Sequence, residues 1–151
     1  MNMPSRRVGG GFSLIEILIV VAIIGIVAAM AAPSFVRQMP DYYLRGAQDR
    51  VYAVLMAARM EAISSSSRVD VSLADSRTIQ VENTYTGGVR TVSLKSPDSI
   101  SVSFSGNGGS FRANGSFVGN GEAGMVCTIQ YSGGGSRQVR VWPAGRISSS
   151  N

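Results

Sequence analysis

Residues 12–36 read FSLIEILIVVAIIGIVAAMAAPSFV, twenty-five positions in which Glu16 is the sole charge. About 20 apolar residues in a helix cross the roughly 30 Å hydrocarbon layer of a bilayer, so the run is long enough to span a membrane and to be kept there. A secretory signal is a poorer reading. Ala29-Met30-Ala31 would pass as a small-residue cleavage site, but a signal core covers roughly 7 to 15 residues and has no use for Glu16. A twin-arginine export signal, marked by Ser5-Arg6-Arg7, fits poorly because three glycines separate the arginines from the apolar block. An ordinary anchor would require neither Glu16 nor a glycine directly before the first apolar residue.

The flank sets the orientation. Residues 1–11, MNMPSRRVGGG, carry Arg6 and Arg7, and the positive-inside bias holds them in the cytoplasm, so the chain after Val36 lies on the far side. Glu16 is then expensive: a carboxylate in hydrocarbon costs several kcal/mol unless paired, which marks it as functional. Cleavage between Gly11 and Phe12 would create an α-amine one helical turn from Glu16, on the same chain or on a staggered neighbour.

The block GGG-FSLIEILIVVAIIGIVAAMAAPSF resembles the class III leader and N-terminal helix of type IV pilins and type II secretion pseudopilins. The resemblance implies that a prepilin peptidase cuts after Gly11 and methylates the new N-terminus, Phe12. It implies that Glu16 neutralises a neighbour's N-terminal amine during assembly. Gly25 and Pro33 match positions where the family's helix loosens inside filaments, and both residue types weaken a helix interior.

Composition narrows the chemistry. A chain of 151 residues holds one ordinary core. It has no histidine and one cysteine, Cys127, which excludes a Ser-His-Asp triad, a Cys-His pair, His-ligated zinc or haem, and an intramolecular disulfide. The net charge is +5. Loss of Arg6 and Arg7 with the leader leaves twelve cations against nine anions, an excess of +3 that implies no particular partner.

Beyond the apolar block, Leu44, Ala47, Val51, Val54, Leu55, Ala58 and Ala62 recur at three- and four-residue steps, the period of an amphipathic helix. Arg45, Asp49, Arg50, Arg59 and Glu61 occupy most of the remainder as a solvated face. Asp41 and Arg45 form an i,i+4 pair worth a few tenths of a kcal/mol. Pro40 is expected to kink the helix or to mark a short break before Asp41. Ser64 to Ser67 end it, and residues 64–151 contain 13 glycines and 19 serines.

In that last segment short alternating runs replace the helical period: Val69–Leu73, Thr78–Glu82, Val89–Leu94, Ile100–Phe104, Ser110–Ala113, Val126–Tyr131 and Gln138–Trp142. Glycine-rich turns stand between them, so the segment reads as an antiparallel β head. Its acids, Asp70, Asp75, Glu82, Asp98 and Glu122, have neither paired-carboxylate nor calcium-loop spacing. The glycine clusters lack a phosphate loop's Lys-Ser/Thr ending and are hairpin turns. No cofactor and no metal is expected. Cys127 reads as a buried small hydrophobe, and Trp142 as a residue closing the edge of the core.

Leu55–Ile63 (LMAARMEAI), Ser110–Gly119 (SFRANGSFVG) and Val139–Ile147 (VRVWPAGRI) are similar to segments of the GspH/FimT family of minor pseudopilins and minor pilins. The expected fold is therefore α+β and pilin-like, a long N-terminal helix packed on a C-terminal antiparallel two-sheet β head. Its divisions are the leader 1–11, the transmembrane or filament-core half 12–36, the amphipathic half 37–63 and the β domain 64–151. The resemblance implies a non-enzymatic filament subunit at the tip of a type IV pilus or a type II secretion pseudopilus, acting in filament assembly and protein secretion. It implies other minor and major pilins or pseudopilins, the prepilin peptidase and the inner-membrane assembly platform as partners. It also implies an inner-membrane location before assembly, single-pass with the head periplasmic.

The alternative is DNA capture for natural transformation, since some members of the FimT branch bind DNA through a C-terminal Gly-Arg-x-Arg motif. Here the stretch is Gly145-Arg146-Ile147-Ser148, with the second arginine missing. Arg112, Arg137, Arg140 and Arg146 would form a phosphate-contact patch if they converge. Arg140, opposite Val139 and Val141 in an alternating strand, also sits where any soluble strand places a charge, and nucleic-acid binding is not the favoured reading.

Replacing Gly11 by Val is expected to block leader removal. Intact-mass measurement of protein from its native membrane should find N-methylated Phe12 first in the parent and the whole leader in the variant.

Overall fold

The computed structural model of the chain describes residues 12–94, 99–119 and 124–150, with residues 31–38 described by backbone alone. The leader with Gly11, and Asp98 and Glu122, lie outside them; so does the side chain of Pro33. Helix α1 runs Leu14–Ser64. The described chain falls into two units, residues 1–38 and 39–151, each taken by itself below.

In the first unit α1 has no inner face. From Leu14 to Met30 its large apolar side chains are between 47% and 77% exposed, and they point in every direction around the axis. Among the described residues no helix is long and apolar enough to cross a membrane. The described side chains stop at Met30, short of the 12–36 segment read from the sequence.

The break expected at Pro40 is absent, since α1 stays helical through that position. Proline removes one backbone donor and crowds one carbonyl, a local cost set against the anchoring of the next six turns. Those turns bury one stripe: Leu44, Ala47, Val51, Leu55, Ala58 and Ala62 are each at most 4% exposed. Val54, expected with them, is only partly buried. The helix stops without glycine. Ser66 takes the left-handed conformation (φ 48°), and Ser67 N–H donates to the Ala62 carbonyl while Ser66 N–H donates to that of Ile63. This is the six-to-one and five-to-two pairing that closes a helix C-terminus.

Among the described residues nine strands follow. β1 (Val69–Asp75), β2 (Thr78–Asn83), β3 (Gly88–Ser93), β5 (Gly109–Phe111) and β6 (Phe117–Gly119) form one sheet, in the order β3-β2-β1-β5-β6. β4 (Ile100–Phe104), β7 (Met125–Tyr131), β8 (Ser136–Val141) and β9 (Ile147–Ser150) form the other, in the order β4-β7-β8-β9. Every pairing is antiparallel. β6 and β9 are the strands that alternation does not announce. One has three residues, and the other is largely serine, held by register to β8 rather than by an apolar pattern.

The inward residues of both sheets join the helix stripe in one core that includes Val69, Val71, Phe111, Ile129, Val139 and Val141. Phe117 packs edge-to-face on Phe111 at 4.9 Å. Its ring also covers Gly109, where an added Cβ would lie 2.3 Å from Phe117 Cζ. Cys127 is fully buried, and burial pushes its thiol up to about 12, so it stays protonated and acts as a small hydrophobe.

Polar contacts fasten the helix where it enters the head. Arg137 on β8 donates to Asp41 Oδ1 at 2.7 Å and to Gln48 Oε1 at 3.2 Å. Gln48 Nε2 donates to the carbonyls of Gln138 and Ser150, both at 2.9 Å. The bond from Arg137, with the nearby charge of Arg45, holds the Asp41 carboxyl below the usual carboxylate range.

Two matching hairpin turns, one in each sheet, meet each other. In Arg112–Ser116 and Trp142–Arg146 the fourth residue is a glycine with φ 78° or 77°. Gly115 N–H donates to the Arg112 carbonyl and Gly145 N–H to that of Trp142, both at 2.8 Å. Arg112 N–H and Trp142 N–H then bond the carbonyls of Ser116 and Arg146, the pattern of a type I turn with a glycine bulge. The turns abut: a Cβ on Gly145 would meet the Gly115 carbonyl oxygen at 1.8 Å. Arg59 Nε seals the joint by donating to that same oxygen at 3.2 Å.

Two consequences are measurable by urea denaturation of residues 39–151. Leu55→Ala, at a fully buried site, should lower stability by about 2–5 kcal/mol. Gly145→Ala should cost more than Gly134→Ala, because Gly134 has φ 102° but open space around it. The latter is expected to cost only the ~1–3 kcal/mol of a strained left-handed residue.

Candidate functional site

The candidate residues fall in two places: the start of α1 and the arginines of the β head. Ser13 precedes the helix, and its carbonyl accepts from the N–H groups of Glu16 and Ile17 at 3.0 and 3.3 Å. Glu16 therefore lies in the first turn, where a carboxylate complements the unsatisfied N–H groups and the positive end of the helix dipole. Ser13 and Glu16 also have the S-x-x-E spacing of a capping box, a sequence signal that reading Glu16 only as an intramembrane charge overlooks. Both Phe12 and Glu16 are exposed, Phe12 to 78%. Gly25 sits within continuous helix with open space at its Cα, and the backbone is helical at Pro33 as well.

The four arginines do not form one patch. Arg137 lies on the face of β8 that carries Val139 and Val141. Its side chain is 12% exposed and is bound to Asp41, so it serves the helix joint and stands apart from Arg140. Arg140 faces outward, as its alternation with Val139 and Val141 requires. Its guanidinium carbon lies 5.2 Å from the centre of the Trp142 ring, within cation–π range.

Trp142 corrects the expectation that it closes the core. It is 40% exposed, and its indole N–H reaches Ser148 Oγ at 3.4 Å. The reason is register: β8 alternates, and an even-numbered position after buried Val141 faces solvent. Ser148, where a second arginine would complete the Gly-Arg-x-Arg pattern, pairs with Arg140 across β8 and β9. Arg112 and Arg146 are exposed and begin and end the two abutting turns. The structure thus brings Arg140, Trp142 and Arg146 onto one hairpin, places Arg112 on the turn beside it, and removes Arg137.

Among the described residues no group of three or more Cys, Asp or Glu side chains is placed to hold a metal. A cleft of about 380 Å³ lies on the outer face of the five-stranded sheet over Asp70, Glu82 and Ser110. It is polar and open, and contains no nucleophile paired with a base.

Comparison with known proteins follows the same division. The prokaryotic N-terminal methylation motif matches residues 6–32, and the model of type II transport protein GspH matches residues 47–145. The fimbrial protein EcpC of Eikenella corrodens is 32% identical over 104 residues, which cover 69% of this chain and 61% of that protein. The fold is that of the Pseudomonas aeruginosa type IV minor pilin FimU, with a TM-score of 0.61 at 20% identity over 72% of this chain and 88% of that one. It is equally that of the minor pseudopilin EpsH from the type 2 secretion system of Vibrio cholerae, with a TM-score of 0.56 at 14% identity over 71% and 95%. With its head matched over most of its length and the methylation motif ahead of it, the chain belongs to the GspH family of pilin-like type II transport proteins.

Proposed function

We propose that this protein is a minor subunit of a pilin-type filament, either a type IV pilus or a type II secretion pseudopilus. The observation that carries the reading is the contrast between the two units. Residues 39–151 have a finished core, whereas the helix before them exposes apolar side chains on every side, each at least 47% uncovered up to Met30. A helix apolar all round requires lipid or other apolar helices. Residues 12–36 supply both environments in turn: they hold the subunit in the inner membrane with the head periplasmic, then pack in a filament core. The role is structural rather than catalytic. Other minor and major pilins or pseudopilins surround it there, after the prepilin peptidase and the inner-membrane assembly platform have acted.

Within this reading Gly11 and Phe12 flank the cleavage site, Phe12 is N-methylated, and Gly25 and Pro33 are where the helix loosens on assembly. Glu16 meets the amine of a neighbour and so recovers the several kcal/mol that a lone carboxylate costs in an apolar medium. Glu16→Gln separates charge from helix capping, because glutamine fills the same place in a capping box. The variant should fractionate with membranes like the parent, yet fail to enter filaments or to complement a deletion strain. Normal assembly would remove the charge-pairing role.

A second reading, nucleic-acid capture, is favoured by one feature: Arg140 stacked on half-exposed Trp142 beside Arg146, the combination of cation and aromatic face that single strands use. With two or three phosphate contacts, log K should fall against log salt with a slope of about −2 to −3, so binding largely vanishes by physiological salt. Gel-shift titrations at two salt concentrations should show Ser148→Arg binding more tightly than the parent, and Arg146→Ala less. Tight binding by the parent at physiological salt, abolished by Arg146→Ala, would make DNA capture the leading function.

A further inference from the structure

Ser110 stands on the outward face of the five-stranded sheet, level with Asp70 on β1 and Val118 on β6. Outward positions of an antiparallel sheet are solvated, and Val118 is 42% exposed, yet Ser110 is 5% exposed. Its hydroxyl has no hydrogen-bond partner among the described residues, and it is not sealed away. It opens on a depression of about 40 Å³ lined by Arg68, Ser110, Arg112 and Val118. The hydroxyl is reachable from this hollow and is available to bond what occupies it.

The two arginines define the chemistry. They stand one residue beyond the Val69–Phe111 pair on adjacent strands, where like charges repel unless an anion lies between them. Arg68 is oriented by its Nε bond to Asp70 Oδ1 at 2.7 Å, which leaves its terminal nitrogens for the depression. The Arg112 side chain has no partner among the described residues. We propose that Arg68, Ser110 and Arg112 form an oxyanion site that takes the carboxylate of an acidic side chain on a neighbouring polypeptide.

A carboxylate fits better than a phosphate for two reasons. Asp70 lies beside Ser110, and Glu82 lies directly across from Asp70. Two cations and two anions therefore share this face: a single negative charge between Arg68 and Arg112 is attracted, whereas the further charges of a polyanion meet Asp70 and Glu82. The hollow, about 40 Å³ where one water needs roughly 10–15 Å³, is filled by a planar carboxylate, and the open cleft that adjoins it carries Asp70 and Glu82, which repel any further negative charge. Arginine recognises that planar group through paired N–H donors, and Val118 offers an apolar wall for the methylene stem behind it. That the neighbour is a filament subunit rests on the proposed function; the carboxylate site itself does not.

The test uses the full chain, nitrogen-15 labelled, in detergent micelles. N-acetylglutamate, inorganic phosphate and a twelve-residue oligothymidylate are titrated at ionic strength fixed with sodium chloride, and the arginine Nε–H and Ser110 amide signals are followed. Saturable shifts with N-acetylglutamate are expected, at least tenfold weaker in Arg112→Gln, weaker in Ser110→Ala and unchanged in Arg50→Gln. The remaining amide signals show that each variant stays folded. Shifts that do not saturate, or that survive Arg112→Gln, overturn the site, and tighter binding of phosphate or oligothymidylate overturns its assignment to carboxylates. A positive titration beside a parent chain that never enters filaments would leave the site standing and remove only the filament reading of the neighbour.

Discussion

The head depends on the burial of one helix stripe. Leu44, Ala47, Val51, Leu55, Ala58 and Ala62 lie along about five turns and meet inward residues of both sheets in a single core. Each element alone would leave an apolar face in water; together they remove twenty-one side chains from it, each at most 9% exposed. Burial of this kind contributes about 25 cal/mol per Å² of apolar surface, so the stripe rather than helix propensity keeps this half of α1 helical through Pro40. The small residues Ala47, Ala58 and Ala62 allow the sheets to approach the helix closely.

The polar joints restrain what burial leaves free. Hydrophobic contact is non-directional and tolerates sliding of a helix along a sheet. Hydrogen bonds from Gln48 to the carbonyls of Gln138 and Ser150, and the ion pair of Arg137 with Asp41, fix that register at one end. At the other end Arg59 caps the joint between the Gly115 and Gly145 turns. Asn83 adds a third tie, donating to Glu61 Oε1 at 3.3 Å and accepting from Ser67 Oγ at 3.1 Å. The sheets are thereby held to the helix at both ends and at its exit.

Against that finished head, the first part of α1 is chemically incomplete in water. The division gives a division of labour: a folded unit that can present surfaces, and an apolar rod whose stability depends on the medium around it. Glu16 belongs to both descriptions, favourable in the first turn of the helix and unfavourable in hydrocarbon. A residue with that balance responds to the arrival of a cation, the property that the proposed assembly step requires.

Much was determined by sequence alone, for physical reasons. An apolar run of fixed length, a carboxylate placed near its start and a helical stripe at three- and four-residue steps are local patterns, and they located α1, its buried face and seven of the nine strands. Cys127 was legible as core because strand alternation decides which side a residue faces. Tertiary structure decided what alternation cannot encode. β9 exists because β8 offers an edge to a serine-rich tail, and β6 because Phe117 covers Gly109. Pro40 stays helical because distant strands hold the turns after it. Trp142 faces solvent and Arg137 faces Asp41 because register assigns them to opposite sides of β8, while composition marks only an aromatic and a cation. Glu16 lay in a motif that could be read directly; Ser110 became informative only when two strands brought Arg68 and Arg112 to its side, a juxtaposition of residues more than forty positions apart that no local pattern contains.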